Sequence, residues 1–219
     1  MSISLIGTVH AASGRANLAE LVAILARHQP DIIFAEIPAA NLDAYVNGSH
    51  GNLESNAVAL YSKRQQVDVV PVDLIRPGDE FFRQSEEMFQ QVERTSSTFR
   101  RLIDQHSLDT RDHGFPYLNS DRCDQAWAAI YEEVRATVEW IGDARLRQIF
   151  ALWSETNDRR ETAMLENISG YCIRSGLSYG VLLLGAGHRK AFMAKVKAQR
   201  DIGAPGVSWN FEDLVNEAV

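Results

Sequence analysis

Two phrases near the ends of the chain repeat one pattern: Ile3-Ser4-Leu5-Ile6-Gly7-Thr8-Val9-His10 and Val181-Leu182-Leu183-Leu184-Gly185-Ala186-Gly187-His188. Each is an apolar, strand-like run that stops at Gly-x-x-His. A strand delivers its last residue to one edge of a sheet, and a glycine there allows the backbone to turn, so each phrase sets an imidazole where open α/β sheets bind ligands. Two further apolar runs end in carboxylates, Asp31-Ile32-Ile33-Phe34-Ala35-Glu36 and Val67-Asp68-Val69-Val70-Pro71-Val72-Asp73. If the four strands are parallel, His10, Glu36, Asp73 and His188 meet in one crevice.

The text between these runs supports that arrangement. Asn17 is placed to cap a helix whose apolar residues Leu18, Leu21, Val22, Ile24 and Leu25 recur at helical spacing, and this helix leads into the strand at Ile32. The result is a βαβ unit with parallel strands. Residues 39–51 have the Asn, Asp, Gly, Ser and His density of a loop at the mouth of the crevice. A helix from about Leu53 to Gln66 and the strand Val67–Val72 make a second unit. From Pro77-Gly78-Asp79 to about residue 176 the pattern is helical, in pieces near 79–105, 121–140 and 143–175, with a polar connector over 109–117. The run at 180–185 is apolar throughout, as suits a central strand covered on both faces. Helices near 189–200 and 211–217 follow. The predicted fold is α/β: one domain over 1–219, with a central, largely parallel sheet flanked by helices and a helical insertion at about 79–176.

Composition narrows the partners. The 219 residues carry 22 basic and 29 acidic side chains, a net charge of -7, and no clustered Lys/Arg stripe, which argues against nucleic acid. No apolar stretch approaches the roughly 20 residues that span a bilayer, and strand-like sequence starts at once with no basic leader, so no membrane partner and a cytoplasmic location are expected. Cys123 and Cys172 lie far apart without metal-ligand spacing, as free thiols in a reducing compartment would.

Imidazoles at His10 and His188 can serve as bases near neutral pH, as metal ligands, or as anion-binding groups when protonated. Glu36 follows four apolar residues, so its carboxylate needs a metal, an arginine or backbone donors. Asp73 has a local reading as a partner of Arg76 and a cap for the helix near Asp79, and a functional one as a second carboxylate in the crevice. On the late helix around Asn157-Asp158-Arg159-Arg160-Glu161, one charged side chain can turn inward; Arg160 would suit neutralising a buried Glu or gripping an oxyanion. His28, His50 and His106 are expected to be exposed, and the tryptophans to be packing residues.

The ordered set Gly7-Thr8-Val9-His10, Glu36, Asp73, Arg160-Glu161-x-x-Met164 and Gly185-Ala186-Gly187-His188 resembles the TraB/PrgY/GumN family, which is similar in turn to the Tiki metalloproteases and to erythromycin-esterase-like and ChaN-like proteins. The family's late-helix motif commonly has Glu-Arg-Asn or Glu-Arg-Asp, and this chain departs from it with Arg159-Arg160-Glu161, which leaves Arg159 and Arg160 as alternatives. The resemblance implies a site centred on His10, Glu36 and His188 and supported by Arg160. It implies either a divalent-metal peptidase or an esterase with a metal-free His base.

The expectation is thus a hydrolase acting on a small-molecule or peptide substrate, with Glu36, His10 and Arg160 as catalytic groups. His10, Glu36, His188 and Asp73 are the ligand set for a divalent ion such as manganese, cobalt or zinc, if one is used. The alternatives are a binding protein using the same crevice without turnover, and a vestigial site beside a partner-binding insertion.

Overall fold

The computed structural model describes residues 2–175, 179–201 and 207–211. Five parallel strands form one sheet in the order β3-β2-β4-β1-β5: β1 is Ser2–Thr8, β2 Ile32–Ala35, β3 Asp68–Pro71, β4 Tyr179–Gly185 and β5 Ser208–Asn210. The α/β reading is therefore correct, and every pairing is parallel. Helix α1 (Leu18–His28) is capped by the Asn17 side chain, which accepts from Glu20 N. It joins β1 to β2; the short α2 (Leu42–Val46) and then α3 (Leu53–Ser62) lead on to β3. Helices α4 (Asp79–Thr95), α5 (Ser97–Leu118), α6 (Asp121–Ile141) and α7 (Ala144–Ser175) form the insertion, and α8 (Ala186–Asp201) follows β4.

Strand alternation divides the core into two layers. Ile6, Ile33, Ala35, Val181 and Leu183 pack against Leu21, Ile24 and Leu25 of α1 and Ala57 and Val58 of α3. Ile3, Leu5, Ile32, Phe34, Leu182 and Leu184 face the other way, against Met164, Leu165 and Ile168 of α7 and Phe192 and Val196 of α8. A third cluster, around Met88, Val92, Phe99, Ile130 and Val134, lies inside the insertion. From the adjacent strands β1 and β4 the crossovers leave in opposite directions, one through α1 and the other through α8. That is the topological switch point at which open α/β sheets bind ligands, and both Gly-x-x-His phrases end there.

Several local expectations change. The first helical piece breaks at Ser96, whose extended backbone ends α4 and whose hydroxyl accepts from Phe99 N to start α5. The connector at 109–117 is helical, not a loop. Gly114 (φ 61°) kinks α5, and Pro116 falls in the turn just after the kink, where a missing N–H costs little. The 39–51 segment holds a 3-10 turn, Ala39–Asn41, and α2. The sequence reading missed β5, only three residues long, which is held by Trp209 against Phe192. The helix expected at 211–217 lies essentially outside the described residues. Neither Gly7 nor Gly185 turns the chain, since both belong to strands.

Because β5 pairs only with Ser2, Ile3 and Ser4, the upper edge of β1 would be bare. Asn119, buried at the end of α5, closes it: its Oδ1 accepts from Gly7 N at 2.6 Å and its Nδ2 donates to Gly7 O at 3.1 Å. One side chain thereby docks the insertion on the strand that carries His10. Asn119→Ala leaves these buried backbone groups without partners and is expected to lower unfolding free energy by about 1–3 kcal/mol in urea melts.

Candidate functional site

The crevice above the carboxyl ends of the strands has a volume of about 350 Å³ and is lined by all five predicted residues, His10, Glu36, Asp73, Arg160 and His188, with Asn41, His50 and Asn52 at its mouth. Glu36 directly follows β2. Its Oε2 accepts from Gly185 N at 2.7 Å, and its Oε1 accepts from Arg160 Nη2 at 2.7 Å. Burial pushes this carboxyl's pKa up, but the charges of His188 and Arg160 and the Gly185 N–H together outweigh it, and the net shift is downward, so Glu36 is a carboxylate.

Arg160 joins two strand ends. Besides Glu36 it donates to Asp73, from Nε at 3.2 and 3.1 Å and from Nη2 at 2.7 Å. The local reading of Asp73 as a partner of Arg76 is not what forms, because Arg76 pairs with Asp79 instead. Of the two late-helix arginines, Arg160 enters the site and Arg159 is exposed. Helix α7 is seated for this by Asn167, which donates to Val72 O at 2.9 Å. Arg160 Nη1 makes no bond in this cluster.

Both histidines are held at Nδ1 by a carboxylate that the sequence reading did not assign to the site. His188 lies in the first turn of α8, with Nδ1 2.9 Å from Glu161 Oε1 and Nε2 3.6 Å from Glu36 Oε1. Burial lowers its pKa, but Glu36 and Glu161 reverse that, and the net shift is upward from 6.5. His10 Nδ1 is 3.1 Å from Glu54 Oε1, which also accepts from Thr8 Oγ1 at 2.8 Å. The hydrogen bond to Glu54 is the main reason that His10's pKa is raised, against partial desolvation. The His10 side chain is 71% exposed, whereas Glu54 is buried. Helix α3 brings Glu54 there: Asn52 caps it by accepting from Ser55 N, and Leu53 N donates to His10 O at 2.8 Å.

Sequence carried only a faint signal for these two partners. Glu161 stands beside Arg160 in a charged helical run, and both turn inward; Glu54 looks like an ordinary first-turn acid that complements the helix dipole. His106, expected to be exposed, is buried: it bonds the Tyr117 hydroxyl at 2.9 Å and packs on Trp127, and burial lowers its pKa. Behind His188, Arg189 and Asp124 form a buried ion pair that ties α8 to α6.

As arranged here, the two carboxylates of the donor set are committed to Arg160. Among the described residues no three His, Cys, Asp or Glu side chains group as metal ligands. Glu36 and Asp73 already share the Arg160 cation, and a second cation between them would be repelled by it.

Neither family models, curated proteins nor solved structures gave a match to this chain. Among the described residues no helix is long and apolar enough to cross a membrane.

Removing Arg160 takes from two largely buried carboxylates the cation they share. Arg160→Leu is expected to lose about 3–5 kcal/mol of stability at pH 7. Glu36's lowered pKa gives a stabilisation present above its ordinary value of 4.5 and lost as pH falls through the folded-state value, so the gap between variant and wild type should narrow in urea melts at pH 4.

Proposed function

We propose that the protein is a hydrolase of carboxylic esters or amides that works by acid–base chemistry between two carboxylate-held histidines, without a metal. The observation that carries this reading is the shared pattern of His10–Glu54 and His188–Glu161: each Nδ1 is fixed by a carboxylate, which sets the tautomer and leaves Nε2 for a reacting proton. The likeness to the TraB/PrgY/GumN family supports hydrolysis through the same residues, and the Arg160 cluster favours its metal-free branch.

His10, at the exposed side of the crevice, is the general base. Its Nε2 takes a proton from water as the water oxygen attacks the substrate carbonyl carbon. Negative charge moves to the carbonyl oxygen, where Arg160 Nη1 stabilises it. His188, kept protonated between Glu36 and Glu161, gives its Nε2 proton to the departing alkoxide or amine as the C–O or C–N bond breaks. Glu36 then acts through others, holding Arg160 and raising the proton affinity of His188. Asp73 is a positioning residue for Arg160. The products are a carboxylic acid and an alcohol or amine, and solvent restores the two protonation states.

The test is hydrolysis of p-nitrophenyl esters and of amide analogues in chelator-containing buffer. His10→Ala and His188→Ala should each lower kcat/KM by about 10²–10⁴-fold. Equal rates in wild type and both variants would overturn the reading, and saturable ligand binding without turnover would point to a binding protein. The base must be neutral to act, so kcat/KM should rise with pH through the raised His10 value, above 6.5. Glu54→Gln removes the main cause of that shift, and the acid limb should move to lower pH while the maximal rate falls.

A further inference from the structure

Beside the reaction crevice lies a second, larger space. A cavity of about 830 Å³ lies under the insertion, walled by Phe82, Phe89, Phe99, Trp127, Tyr131 and Trp153, and it shares Phe81, Phe82, Arg160 and His188 with the crevice. Its volume is within the range of about 300–1,000 Å³ typical of drug-sized ligand sites. The aromatic rings brace one another: Phe89 and Trp153 meet edge to face at 5.5 Å, Tyr131 and Trp153 at 5.2 Å, and Trp127 and Tyr131 pack at 5.3 Å. A wall of mutually packed rings holds its shape and offers ring faces and edges to a guest.

This wall is built onto the reacting groups. Tyr131 OH donates to Gly187 O at 3.3 Å, and a Cβ at Gly187 would lie 2.5 Å from the Tyr131 hydroxyl and 3.6 Å from the Trp127 ring. The Gly185-Ala186-Gly187-His188 phrase thus needs its second glycine because the cavity wall presses on the turn that carries His188. Charge at the cavity is biased as well. Glu86, Glu93 and Asp104 line it against Arg100, and its two other cationic groups, Arg160 and His188, are already paired with Glu36, Asp73 and Glu161. An anionic guest would meet net repulsion there, and a cation would find both acidic groups and ring faces.

Resting on the hydrolytic reading, we infer that the substrate carries a bulky aromatic or fused-ring group, neutral or cationic, which sits in the cavity under the insertion while its ester or amide carbonyl lies between His10 and His188. The cavity is then the specificity pocket, and the small crevice alone holds the reacting bond. Asn157 lines the cavity one helical turn before Arg160, so Asn157→Trp fills it from its side without removing any ring.

The test separates ring binding from chemistry. N-phenyl-1-naphthylamine, neutral, and 1-anilinonaphthalene-8-sulfonate, with the same rings plus an anionic group, are titrated by fluorescence into wild type, Asn157→Trp, Trp153→Ala and His10→Ala, each checked for folding by circular dichroism. Saturable one-to-one binding of the neutral probe is expected. It should weaken at least tenfold in Asn157→Trp and Trp153→Ala and stay unchanged in His10→Ala, with the sulfonate at least tenfold weaker on wild type. No saturable binding, or equal binding in both cavity variants, would overturn the inference; a sulfonate that binds as tightly as the neutral probe would overturn its charge preference. An enzyme that hydrolyses p-nitrophenyl acetate but binds no naphthyl probe would retain the hydrolytic reading and lose this one.

Discussion

One guanidinium holds the site together. Arg160 reaches from the long helix α7 to Glu36 after β2 and Asp73 beyond β3, two carboxylates that burial would otherwise make costly. The fork geometry of arginine matters here, because Nε and Nη2 together grip Asp73 while Nη2 also serves Glu36, and Nη1 is left over. With this cation in place Glu36 remains ionised, and an ionised Glu36 in turn raises the proton affinity of His188. The charge states of Glu36 and His188 therefore follow from one helix, α7, being seated correctly on the sheet, while that of His10 depends on Glu54 of α3.

The seating has identifiable causes. Asn167 fastens α7 to the end of β3, Asn119 fastens α5 to the bare edge of β1, and the buried Arg189–Asp124 pair fastens α6 to α8. Each contact is a hydrogen bond or ion pair between named polar groups, so each is directional where the apolar layers are not. The insertion is in this way a fixed wall of the site, and the aromatic cavity inside it borders the reacting groups, with Arg160 and His188 in its lining.

Much of this was legible in the chain because it lies in strand ends. An apolar run that stops at a polar residue states both the strand and the edge to which that residue is delivered, which is why His10, Glu36, Asp73 and His188 were found in one crevice and the parallel sheet around them was foreseen. Arg160 was legible as a buried carboxylate's need for a partner. Glu54 and Glu161 were not, since a first-turn acid and a charged helical run look the same whether they face solvent or a histidine, and only the packing of α3 and α7 decides. The helical path through 109–117 was hidden by Gly114 and Pro116, whose usual meaning as breakers is overridden by a kink that both tolerate. Strand β5, at three residues, was too short to show a period.

Everything proposed about the chemistry depends on His10 and His188 being held by carboxylates that raise their proton affinity. The direct measurement is a pH titration of the histidine ring resonances of the wild-type protein by nuclear magnetic resonance, assigned with single His→Gln variants. His10 and His188 are expected to titrate above 6.5 and His106 below it. Titration of His10 and His188 at or below 6.5 would mean that Glu54, Glu161 and Glu36 do not act on them as described, and the two-histidine mechanism would fail with that result.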